Sequence, residues 1–68
     1  EETLINLAER TAEKVYDTGR EISLEPMTPA ERRIIHAALQ SFSGVTTFSE
    51  GEDPNRHIVI APGVEADN

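Results

Sequence analysis

The sequence predicts an α+β domain of two layers, with two helices packed on one face of a three-stranded antiparallel sheet. Two stretches place apolar residues at helical spacing, and three short stretches alternate or concentrate β-forming residues. Gly or Pro stands at the junctions between them. The order that follows is α-β-α-β-β, and amphipathic helices over a half-apolar sheet bury both apolar sides in one core.

The first helix is expected over residues 4–18. Leu4, Leu7, Ala8, Thr11, Ala12 and Val15 follow the i, i+3, i+4 rhythm, while Asn6, Glu9, Arg10, Glu13 and Asp17 share the other side. Gly19 then suits the left-handed position after the last turn. Residues 21–24 alternate polar and apolar, as a half-buried strand does, and Pro26 ends it. Thr28-Pro29-Ala30-Glu31 is the strongest local signal: Thr at the N-cap, Pro with its φ pre-set, and Glu closing a capping box. The second helix is expected from 29 to about 41, burying Ile34, Ile35, Ala38, Leu39 and Phe42, with Gly44 as its breaker. Residues 45–49 and 56–61 are rich in β-formers, and the turn-forming loop 50–55 makes them a hairpin. Ile22, Leu24, Ile58 and Ile60 are expected to face the helices. The ordered domain is expected over 4–62, with 63–68 as a flexible tail.

A chain of 68 residues forms one small domain. Its core supplies a net stability of only about 3–5 kcal/mol. No cysteine is present, so disulfides and thiolate metal sites are unavailable. No apolar run approaches the roughly 20 residues of a membrane span, and no signal-peptide pattern opens the chain. A cytoplasmic setting and no membrane insertion are expected. The start at Glu1-Glu2, just ahead of a helical pattern, fits a piece cut from a longer protein.

Thirteen acidic residues against six basic ones give a net charge of −7. Nucleic-acid-binding domains are usually basic, so any such role here needs a local positive patch. Setting Arg32 at zero on the second helix puts His36 at about 40°, Gln40 at about 80° and Arg33 at about 100°. The apolar set centres near about 270°. Arg32, His36 and Gln40 therefore form a stripe along one edge of the buried face, widened by Arg33. An edge Arg rests its stem on the core and offers its fork outward, where it suits phosphate oxygens. A His ring donates a hydrogen bond or stacks on a base. Arg56 shares strand parity with Ile58 and Ile60, and with the weaker candidate Arg20 it brings four of the six cations toward one rim. Spacing alone also allows Arg32 paired with a carboxylate, His36 as a partly buried edge residue, Arg33 as a solvated charge, and Arg56 bridged to Glu52 or Asp53. No enzyme chemistry is expected. His36 and His57 lack metal-ligand spacing, no glycine-rich phosphate loop occurs, and Ser23, Ser41, Ser43 and Ser49 lack an elbow motif. No metal and no cofactor are expected.

Leu24-Glu-Pro-Met-Thr-Pro-Ala-Glu-Arg-Arg-Ile-Ile-His36 resembles the R-three-H (Arg-x-x-x-His) domain, and more narrowly the one at the C-terminus of bacterial Jag (SpoIIIJ-associated) proteins. A second block, Thr47-Phe-Ser-Glu-Gly51-Glu-Asp-Pro54-Asn-Arg56-His-Ile-Val-Ile60, follows in the family's order. Together the blocks make the likeness specific over roughly residues 4–62. The resemblance implies the same two-layer fold and sequence-tolerant, non-catalytic binding of single-stranded RNA or DNA. Arg32 and His36 match the name-giving pair, and Arg33 and Arg56 match basic positions of the pattern. It also implies a KH-type domain upstream in the parent protein. The isolated domain is expected to be a monomer. The alternative expectation is a protein-interaction module that docks on a neighbouring domain or partner.

Overall fold

The computed structural model describes residues 2–63. Helix α1, Leu4–Thr18, is capped by Thr3, whose hydroxyl accepts the Asn6 N–H at 3.1 Å. It closes on Gly19 at φ 72°, whose N–H donates to the Val15 carbonyl at 2.8 Å. Near its start Arg10 donates from Nε and Nη2 to the Glu2 carboxylate, both at 2.8 Å. Those hydrogen bonds hold the Glu2 carboxyl below its usual range. The pair is exposed, so its contribution is small; it is present at neutral pH and lost as pH falls through the lowered Glu2 value.

Strand β1 covers only Ile22–Ser23, although Leu24 still donates its N–H to the Ile58 carbonyl at 2.9 Å. Helix α2, Pro29–Leu39, starts on the expected capping box. Thr28 Oγ1 accepts the Glu31 N–H at 3.2 Å, and Glu31 Oε1 accepts the Thr28 N–H at 3.0 Å. Strands β2, Val45–Glu50, and β3, His57–Pro62, form the hairpin. The sheet order is β1-β3-β2, antiparallel throughout, with Thr47 opposite Ile60 on one side of β3 and Ile22 opposite Ile60 on the other. The Asp53–Pro54 peptide in the connecting loop is cis. No helix among the described residues is long and apolar enough to cross a membrane.

Ala8, Ala12 and Val15 of α1, Ile35 and Leu39 of α2, and Ile58 and Ile60 of β3 make the core. Ile22 and Leu24 pack at its margin, as their parities predict, and so does Phe42, which helical spacing places among the buried residues. Both helices therefore cover the same side of the sheet, and the side carrying Val59 has no helix over it among the described residues.

Helix α2 is rolled relative to the sequence expectation. Ile34 is 44% exposed, whereas Arg32 is only 9% exposed. The buried trio Ile35, Leu39 and Arg32 centres near about 330° on the wheel, a roll of about 60° from the apolar mean. Apolar side chains cover more of this short helix than a small core can contact. The roll chosen seats Ile35 and Leu39 in the core and gives Arg32 a carbonyl to bond.

Gly44, between α2 and β2, has φ 89°. A Cβ there would fall on the Tyr16 ring. Tyr16 is well exposed, so the ring is free to swing aside, and the left-handed backbone is the lasting cost. Gly44→Ala is expected to destabilise the domain by about 1–2 kcal/mol. In urea unfolding that loss should persist when Tyr16→Ala removes the ring; its disappearance would assign the effect to the clash. Gly44 also accepts the Gly63 N–H at 2.9 Å, which ties Gly63 to the hairpin base. The rest of the expected tail, residues 64–68, lies outside the described residues.

Candidate nucleic-acid interface

Between α2 and the edge strand β2 runs an open groove of about 900 Å³. Arg33, His36 and Gln40 line it from the helix, with Ala30, Ile34 and Ala37 as an apolar wall, and Val45, Thr46 and Thr47 line it from the strand. Helical spacing puts His36 and Gln40 one turn apart, and α2 reaches the groove because the capping box fixes where it begins.

His36 is half-buried, and its Nδ1 lies 2.7 Å from Thr47 Oγ1. When the hydroxyl donates, Nδ1 accepts, and the neutral ring keeps its proton on Nε2 as a donor. Nε2 makes no hydrogen bond among the described residues. Thr47 was not singled out from the sequence as a site residue. Its signal is parity: Val45, Thr47 and Ser49 are the inward positions of β2, and two of them carry hydroxyls. Thr47→Val is expected to cost about 1 kcal/mol and to free the ring. Ring 15N shifts of His36 check this, since an unchanged tautomer balance would mean that the bond does not set it.

Arg33 and Gln40 are exposed, and Arg33 pairs with no carboxylate among the described residues. The remaining cations do not join this groove. Arg32 lies within the buried arc instead of at its edge, and its Nη1 donates to the Met27 carbonyl at 2.6 Å. Arg56 donates from Nη1 to the Gly51 carbonyl at 2.7 Å and so braces the hairpin loop. Neither makes a salt bridge among the described residues, so the carboxylate partners weighed from spacing are replaced by backbone carbonyls. Arg20 leads into β1, which β3 separates from β2, so it stands at the far edge of the sheet. The single rim of four cations is therefore divided. A second hollow, beside Pro26, Met27 and Pro54, carries Glu31 and Asp53 and suits a phosphate poorly. No group of His, Asp and Glu capable of holding a metal occurs among the described residues.

Two helices on one side of a small antiparallel sheet, with an open groove along the edge strand, define an α+β module that presents a surface. Residues 2–62 match the R-three-H domain, and the chain belongs to the R-three-H domain family. It is 58% identical over 60 residues to an RNA-binding protein KhpB of Clostridium symbiosum, covering 88% of this chain and 27% of that protein. Against RNA-binding protein KhpB of Lactiplantibacillus plantarum the identity is 52% over 59 residues, covering 87% of this chain and 18% of the relative. Against that of Bacillus subtilis it is 45% over 62 residues, covering 88% and 30%. The chain thus spans less than a third of the length of these relatives.

Proposed function

We propose that this chain binds single-stranded RNA or DNA without catalysis, as an accessory module of a larger RNA-binding protein. The carrying observation is the groove beside β2, where His36 is steadied by Thr47 next to the exposed donors of Arg33 and Gln40. Family membership and relatives named as RNA-binding proteins support the same reading. In it, Arg33 meets a phosphate, His36 donates from Nε2 to a phosphate or stacks on a base, and Gln40 hydrogen-bonds a base edge or sugar. The apolar wall of Ile34 and Ala37 receives the face of a base. Arg56 offers the rest of its fork at the hairpin end of the strand's path. Arg32 acts mainly as a positioning residue that fixes the start of α2. The same reading puts the domain in the cytoplasm, monomeric when isolated and preceded in its parent protein by a KH-type domain.

The net charge of −7 opposes approach, so affinity of the isolated domain is weak. With about three phosphate contacts, log K falls against log salt with a slope near about −2. Titration of the 15N-labelled chain with a single-stranded RNA octamer tests the proposal. Amide shifts are expected at Arg33, His36, Gln40 and Thr46, weakening with salt. Shifts elsewhere, or none that respond to salt, would overturn it.

A further inference from the structure

We propose that the helix-free face of the sheet is a docking surface for a basic protein segment, one bearing Lys or Arg residues around an apolar side chain. This does not rest on the function proposed above, because the surface lies on the opposite side of the sheet from the helices.

Strand parity and burial define the face. Ile58 and Ile60 enter the core, so His57, Val59 and Ala61 point the other way. On β2 the exposed positions are Thr46, Phe48 and Glu50. Phe48 stands opposite Val59 in the register and is 40% exposed, while Val59 is buried beside it at 1%. Ser23 flanks Val59 from β1. The centre is thus an aromatic ring on a floor of small apolar side chains, a form that serves as an anchor at protein interfaces.

The charges around this centre are of one sign. Glu50 ends β2, and the exposed Glu21 and Glu25 flank the two-residue strand β1, one directly before it and one two residues after it. Residues 21–25, 45–50 and 57–62 contain no Lys or Arg. His57 Nδ1 lies 2.9 Å from the Asn55 carbonyl, and its Nε2 stands 3.9 Å from Glu50, beyond hydrogen-bond distance. An exposed aromatic on an open sheet also suits a nucleobase, but a strand stacked here would bring its phosphates toward three carboxylates, with no Lys or Arg within the three strands to offset them. Electrostatic complementarity selects a cationic polypeptide. Its ammonium or guanidinium groups would reach Glu21, Glu25 and Glu50 while an aliphatic side chain covers Phe48.

The test titrates the 15N-labelled chain with an end-blocked peptide of four lysines around a central leucine, and with a second peptide carrying glutamate for each lysine. The basic peptide is expected to move the amides of Ser23, Phe48, Glu50 and Val59, with binding weakening roughly threefold or more between 50 and 200 mM salt. Glu25→Lys, at an exposed position outside the core, should weaken binding by a similar factor, and Phe48→Ala should lower it further. The proposal is overturned by any of several results. These are no shift at about 2 mM peptide, equal shifts from the acidic peptide, or shifts confined to the Arg33–His36 groove. Concentration-dependent shifts of this face without peptide would assign it to a second copy, and its saturation by single-stranded RNA would assign it to nucleic acid. Either result also overturns the proposal. Failure here leaves the groove titration untouched, and failure of the groove leaves this one standing.

Discussion

Arg32→Ala is expected to unfold much of the protein instead of only weakening a contact. The residue is only 9% exposed, and its Nη1 donates to the Met27 carbonyl just ahead of α2. Truncation strands that carbonyl, at about 1–3 kcal/mol, and removes the packing of the stem. A total loss of about 2–4 kcal/mol compares with the roughly 3–5 kcal/mol that a core of this size supplies. Arg32→Lys keeps the charge and a donor but loses the planar fork, so an intermediate loss is expected. Urea unfolding followed by circular dichroism measures both. An Ala variant within about 0.5 kcal/mol of the parent would place Arg32 among ordinary surface residues.

The second large effect is on binding. Arg33→Glu replaces an exposed cation in the groove with an anion and takes the net charge from −7 to −9, a change of −2. Affinity for a single-stranded RNA octamer is expected to fall more than about tenfold, and the salt slope to flatten by about 0.7 for the lost phosphate contact. The melting temperature should stay within about 2 °C, because the side chain supports nothing in the core. Retained affinity with a lowered melting temperature would reverse the roles assigned to the two neighbouring arginines. Adjacent in sequence and about 100° apart on the helix, they are expected to separate stability from binding.

The capping box at Thr28, the stop at Gly19 and the hairpin were legible because each is local: a few adjacent residues hold the whole signal. The roll of α2 was not. Its apolar side chains span more than half the circumference, so only the surface they meet decides that Arg32 goes under and Ile34 stays out. The partners of Arg32 and Arg56 were hidden for another reason. Both are backbone carbonyls, which leave no trace in side-chain identity. Arg20 was misplaced because a hairpin motif does not say which side of it an earlier strand joins. His36 and Gln40 read correctly as neighbours, since their spacing alone puts them one turn apart. Thr47 required the strand register as well.

The sheet order also governs when this domain comes into being during synthesis. β1 and β2 each pair with β3, which is the last of the five described elements. A growing polypeptide that has delivered both helices and two strands still has no sheet, and the helices have neither Ile58 nor Ile60 to close on. Domains generally fold as units once their chain is complete. The nascent domain therefore stays unfolded until the stretch ending near Pro62 is clear of the ribosome, and a chain stalled at the acidic loop has no formed groove beside β2.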